Sequence, residues 1–122
     1  MNDVQIAKGK QDGMSAYFRV AEREITFIEA DKDYYHIHLI NQGDAPIKIH
    51  GTLGSAMATF HSLVKPHKSY LVNLNQVYCV ATDPDDNYAK VMFRDGTHIK
   101  FSKSKSMYMD FMQRLHSYAT EE

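Results

Sequence analysis

Tyr34-Tyr35-His36-Ile37-His38-Leu39-Ile40 alternates along its length, with Tyr35, Ile37 and Leu39 on one side and Tyr34, His36 and His38 on the other. Successive side chains of a strand point to opposite faces, so the stretch reads as a half-buried β-strand rather than a helix. Its surroundings follow the same pattern. Upstream, Val4 to Ala7, Tyr17 to Val20 and Ile25 to Glu29 are short runs rich in β-branched and aromatic residues. Downstream, Asn41-Gln42-Gly43-Asp44 supplies a turn, and Pro46 to His50 a return strand whose proline suits its start or a sheet edge.

Further strands are expected at Tyr70 to Asn73, Gln76 to Ala81 and Tyr88 to Arg94, the last two joined by the acidic loop Asp83-Pro84-Asp85-Asp86-Asn87. Arg94-Asp95-Gly96-Thr97 predicts a two-residue type I′ hairpin loop, because Asp-Gly tolerates the positive φ angles that this turn needs, making residues 88 to 101 one hairpin. Two segments carry the helical period instead. Leu53, Ala56, Met57, Phe60, Leu63 and Val64 fall on one helical face, with Thr52 as N-cap and Pro66 as stop, which predicts a helix near 53–64. From Ser104, residues Met107, Tyr108, Phe111, Met112 and Leu115 share a face, which predicts a C-terminal helix near 104–118 with a fraying Thr120-Glu121-Glu122 tail. No internal repeat or low-complexity segment interrupts the pattern. The expectation is a mainly β domain with small helices.

Length and composition fit one such domain. The chain has 122 residues, 43% hydrophobic and 24% charged, enough for one continuous core. No stretch approaches the apolar length of a membrane span, and Met1 to Lys10 lacks the apolar core of a secretory signal, so a cytoplasmic location is expected. Cys79 is the sole cysteine and lies in the apolar run Val77-Tyr78-Cys79-Val80-Ala81, where a buried, inert thiol is expected. A formal charge of −1 excludes a protein coated in positive charge. Basicity is local: Lys100, Lys103 and Lys105 stand in a stretch, 97 to 105, without an acid.

Catalytic signatures are missing. His36 and His38 share a strand face at a spacing compatible with zinc or copper, but spacing fixes no third ligand, and the expected setting is the solvated side of the strand. His67 and Ser69 lie close together without the GxSxG turn that would present an activated serine, and the glycines form no phosphate cradle. Neither catalysis nor a cofactor or metal is expected.

Two basic, hydroxyl-bearing segments are more informative. In Lys65-Pro66-His67-Lys68-Ser69-Tyr70-Leu71-Val72-Asn73 a loop is expected between a helix and a strand, and its Lys, Ser and His residues suit phosphate or guanine contacts. In Ser102-Lys103-Ser104-Lys105-Ser106 hydroxyls alternate with ammonium groups at a helix start, where positive charge opposes the helix dipole unless an anion is present.

These segments resemble the LytTR domain, the DNA-binding half of AgrA/LytR/AlgR-type response regulators. The resemblance rests on Ile25-Thr26-Phe27-Ile28-Glu29-Ala30 with Lys32-Asp33-Tyr34, on Ile47-Lys48-Ile49-His50 with Thr52-Leu53, and on two more specific blocks. His67-Lys68-Ser69-Tyr70-Leu71-Val72-Asn73 is similar to the family's H-R/N-S-Y/F-x-V-N pattern, and Asp95-Gly96-Thr97-His98-Ile99-Lys100-Phe101-Ser102-Lys103 to its ending. It covers about residues 4 to 116, and lysine stands at Lys68 and Lys103 where the family often has arginine. The resemblance implies an elongated β-β-β sandwich of about ten mostly antiparallel strands that presents loops to double-stranded DNA, entering successive major grooves and bending the duplex. Carried over by position, the contact residues would be Lys32, Tyr34, His67, Lys68, Ser69, Ser102, Lys103 and Lys105, led by Lys68 and Lys103. Asn73 would close a turn. A single domain with no receiver domain is expected, either the output part of a two-component response regulator, with the sensor kinase acting only indirectly, or a stand-alone regulator. It would be monomeric alone and pair on tandem direct repeats. The alternative is a protein-interaction, ligand or metal module using the face of Tyr34, His36 and His38.

Overall fold

The computed structural model describes residues 3–40 and 45–120. The expected turn at Asn41 to Asp44 and the tail Glu121-Glu122 lie outside the described residues. Ten strands and two α-helices follow in order: β1 (Val4–Gln11), β2 (Met14–Ala21), β3 (Ile25–Asp31), β4 (Tyr34–Leu39), β5 (Ile47–His50), α1 (Leu53–Thr59), β6 (Val64–His67), β7 (Tyr70–Val72), β8 (Val77–Thr82), β9 (Tyr88–Phe93), β10 (His98–Ser102) and α2 (Lys105–Thr120). All strand pairings are antiparallel. They form a five-stranded sheet β5-β4-β3-β7-β6, a two-stranded ribbon β1-β2 and a three-stranded sheet β10-β9-β8.

The five-stranded sheet is the middle layer, buried on both faces by the strand period. In β3, Ile28 points into one core and Phe27 into the other; in β7, Leu71 and Val72 divide in the same way. The first core lies under the ribbon and α1, where Ala7, Val20, Tyr35, Ile37, Leu53 and Phe60 meet. The second lies under the three-stranded sheet and α2, where Val91, Phe93, Ile99, Phe101 and Phe111 meet Phe27 and Val72. The mainly β sandwich of three sheets that the family resemblance implies is therefore present.

Several local expectations are corrected. Helix α1 ends at Thr59, capped by Phe60 at φ −115°, and does not continue to residue 64. Thr52 does cap it, receiving the Ser55 N–H while the Ser55 hydroxyl receives the Thr52 N–H. Leu63 and Val64 keep the helical spacing by coincidence: Leu63 joins the first core and Val64, opening the edge strand β6, joins the second. Pro66 sits within that strand, where an edge tolerates its missing N–H. The Glu22 carboxylate pins the preceding turn through the N–H (2.9 Å) and hydroxyl of Ser62.

In the β9–β10 hairpin only Gly96 has a positive φ, 88°. Its N–H donates to the Phe93 carbonyl and the Phe93 N–H to the Thr97 carbonyl, so the loop is the three residues Arg94-Asp95-Gly96 and not a two-residue type I′ turn. Cys79 is only half-buried.

Candidate nucleic-acid interface

Antiparallel pairing decides which connections share an end of the molecule. The end of β3 lies beside the start of β7, and the Ala30 N–H donates to the Ser69 carbonyl at 2.9 Å. The turns Lys32-Asp33 and Lys68-Ser69 are therefore at one end of the middle sheet. The same end receives β10, whose Ser102 hydroxyl lies 3.3 Å from His67 Nε2. There the Lys103 N–H donates to the Asn87 carbonyl at 2.6 Å, which brings in the acidic loop 83–87. Sequence-distant His67, Lys68, Ser69, Ser102 and Lys103 thus converge, with Lys105 at the start of α2 next to them.

The environments of these groups differ. Lys68, Ser102 and Lys105 are exposed. Lys103 is not free: its ammonium donates to Thr82 Oγ1 at 2.9 Å and to the Asp83 carbonyl at 3.2 Å. His67 ends β6 and is part of no loop. The Ser69 N–H donates to its Nδ1 at 3.1 Å, so in the neutral ring the proton is on Nε2, where it can donate to the Ser102 hydroxyl. Burial first, and the Lys68 charge second, hold the imidazole pKa below its ordinary 6.5. Both ring nitrogens are engaged, and the ring also packs 5.8 Å from Phe101 and 6.1 Å from Tyr70. His67 therefore ties the β6–β7 turn to the end of β10.

Lys32 is exposed at the tip of the β3–β4 turn with φ 57°, an uncommon conformation for a side chain other than glycine. Tyr34 is half-buried beneath the Lys48 ammonium, 4.4 Å from its ring centre, and packs edge-on to His50. Asn73 is buried and closes a turn as expected: its amide donates to the Ile25 carbonyl at 2.9 Å and its Oδ1 accepts the Asn75 N–H at 3.1 Å. Tyr70 and Leu71 are packing residues, and burial, then the Glu29 carboxylate, raises the Tyr70 phenol pKa.

The face of Tyr34, His36 and His38 is the less buried side of β4, as expected, but its imidazoles have partners. His38 stacks on Phe27 with ring centres 4.1 Å apart and its Nε2 is 3.1 Å from Glu29, while His36 Nε2 is 3.1 Å from Asp31. Among the described residues no three His, Cys, Asp or Glu side chains form a metal-holding group. No helix of the described residues is long and apolar enough to cross a membrane.

Sequence reasoning missed a second basic cluster. Lys8 and Lys10 of β1, Lys48 and His50 of β5, Ser15 of β2 and Tyr34 line one open groove. The available signal was the strand period itself, which puts Lys8 with Lys10, and Lys48 with His50, on common faces.

Three stacked antiparallel sheets with basic groups on the connections at one end define a strand-built domain whose candidate contact residues lie at turns, strand ends and the start of α2. The family model described as the LytTr DNA-binding domain matches residues 15–115, and the chain belongs to that family. Among solved structures, the fold is similar to a LytTr DNA-binding domain of a response regulator from Bacillus cereus, at 17% identity and TM-score 0.67, covering 92% of this chain and 96% of the other. No curated protein gives a significant match.

Proposed function

We propose that this chain binds double-stranded DNA in a sequence-specific manner as a cytoplasmic transcription regulator, catalysing nothing. Family membership supports the DNA-binding class. The observation that carries the finer reading is the convergence of His67, Lys68, Ser69, Ser102 and Lys103 from two sequence-distant segments at one end of the middle sheet. In this reading the turns of that end enter successive major grooves, and the duplex bends to bring both sets of contacts into register.

Lys68, exposed and without an acidic partner among the described residues, is the leading base or phosphate contact. Lys103 exchanges its hold on Thr82 and Asp83 for DNA, and Lys105 with the α2 N-terminus takes a phosphate. Lys32 and Tyr34 serve the first turn. Ser69 and Ser102 donate hydroxyls, and His67 positions the others. Domains pair on direct repeats about one helical turn apart, under the control of a receiver domain and its kinase or as a stand-alone regulator. The alternative use of the Tyr34, His36 and His38 face is disfavoured because both imidazoles are already engaged by carboxylates.

Selection of bound sites from random duplexes, followed by anisotropy titration, tests this reading. Lys68→Ala/Lys103→Ala should weaken binding to the selected site by about 1–3 kcal/mol for each base-reading side chain removed. Equal affinity of parent and double variant rejects the assignment.

A further inference from the structure

The groove beside the edge strand β5 has an uncompensated positive lining. Gly9 brings β1 against β5 so closely that a Cβ placed there would lie 2.6 Å from the Lys48 carbonyl oxygen. That approach sets Lys8 and Lys10, which flank Gly9 on the opposite side of the strand, beside Lys48 and His50. The result is an open groove of about 780 Å³ without a carboxylate in its lining among the described residues. Among the described residues, none of these lysines forms an ion pair. Lys48 is instead held over the Tyr34 ring, and the Ser15 hydroxyl adds a neutral donor.

The groove continues the proposed contact end. Tyr34 follows the Lys32-Asp33 turn directly, His50 is its pairing partner across β4 and β5, and the Gly51 N–H donates to the Asp33 carbonyl at 2.9 Å. Lys8 and Lys10 are separated by two strand rises, about 7 Å, which suits following a polyanion more than enclosing one phosphate.

We infer that this groove is a backbone track for DNA, in which Lys8, Lys10 and Lys48 take phosphates flanking the bases contacted by the loops. The inference rests on the DNA-binding reading above. It divides the labour: the loops discriminate sequence, and the groove adds attraction that is indifferent to sequence. Tyr34 acts here as a positioning residue for Lys48.

The test compares parent and Lys8→Gln/Lys10→Gln/Lys48→Gln by anisotropy titration between 50 and 200 mM KCl, using the selected duplex and a scrambled one. Each neutralised phosphate adds about 0.9 to the slope of log affinity against log salt, so removing three ammonium groups should flatten it by about 2.7. Affinity should fall by a common factor for both duplexes, and a Lys→Arg triple variant should restore the slope. An unchanged slope overturns the track, and so does a changed ratio between the duplexes, which would mean that the groove reads bases. Should the triple variant fail to fold, Lys48→Gln and the Arg variant carry the comparison, with a slope change of about 0.9 expected for the single substitution. Saturable amide shifts at Lys8, Ser15 and Lys48 with inorganic phosphate alone would identify a single-phosphate pocket and also overturn it. Failure of the parent to bind any duplex removes the DNA reading itself, whereas parent binding that weakens in Lys68→Ala/Lys103→Ala but not in the triple variant removes only the track.

Discussion

At one flank of the contact end, the polar groups other than the exposed Lys68 are bound to one another; at the other, the lysines of a groove have no ion pair among the described residues. His67 is bonded to the Ser69 N–H and lies against the Ser102 hydroxyl, and Lys103 is held by Thr82 and Asp83 beside an acidic loop. Among the described residues, Lys8, Lys10 and Lys48 have no ion pair and their groove has no acidic lining. Groups fixed in place by hydrogen bonds suit discrimination between partners, because they give little to a misaligned one. Ammonium groups held only over aromatic rings, Lys8 by Tyr17 and Lys48 by Tyr34, suit attraction that any phosphate chain satisfies. A chain of net charge −1 needs such a local concentration to hold a polyanion.

The contrast breaks most strongly at Gly9. Valine there would force β1 away from β5, because the new Cβ would meet the Lys48 carbonyl at 2.6 Å and Ile49 Cδ1 at 2.9 Å. Gly9→Val should lower stability in urea unfolding by about 1–3 kcal/mol, the range of overpacked sites. It should also weaken binding to selected and scrambled duplexes alike. Gly54→Ala is the control: its methyl meets only Thr52 Oγ1, at 3.5 Å. Unchanged stability in Gly9→Val would mean that the ribbon does not press on β5.

A smaller change sharpens the other flank. Asp83 Oδ1 accepts the Asp85 N–H and Asp86 Oδ1 the Tyr88 N–H, acceptor roles that an asparagine carbonyl can retain. Asp83→Asn/Asp86→Asn thus removes negative charge near Lys103 with the loop geometry preserved. Affinity for any duplex should rise by ~0.2–1 kcal/mol, the scale of exposed charge interactions, and less at high salt. A fall in affinity would show that the loop supports the interface instead of opposing it.

What could be read from the sequence followed local rules, and what could not depended on distant neighbours. Period-two alternation at Tyr34 to Leu39 led to a mainly β domain, and the family resemblance carried by the blocks around His67 and Ser102 implied the three-sheet architecture and the converging loops. Helical spacing overextends the first helix because Leu63 and Val64 continue it, although they serve opposite sides of the middle sheet. Two identical dipeptides give different turns. Asp12 and Gly13 both take positive φ, 52° and 80°, as a two-residue hairpin needs, whereas Asp95 turns its carboxylate onto the Thr97 N–H and hydroxyl and leaves only Gly96 left-handed. The groove was missed for another reason: the strand period pairs Lys8 with Lys10 and Lys48 with His50, but the two pairs are neighbours only because Gly9 lets two backbones approach. The first half of the sequence holds eight acids and six Lys/Arg, so its charge sum offers no hint of a basic patch.

The smallest effect concerns the neutral ring that joins the β6–β7 turn to β10. Protonating His67 Nδ1 would break its bond from the Ser69 N–H, and the partly buried ring, beside Lys68, resists the charge. Between its lowered folded pKa and the ordinary 6.5, the unfolded chain holds more proton at this position than the folded one. Stability therefore climbs with pH through that window and levels off above it. Acidifying from pH 7 should lower the urea midpoint of the parent more than that of His67→Gln. An NMR titration should place the His67 pKa below 6.5, and Lys68→Ala should recover only the lesser part of the shift, since burial is the larger cause. A titration at or above 6.5 would make His67 a cation beside the exposed Lys68, and the loop flank would then lose the neutral, mutually bonded groups that distinguish it from the groove.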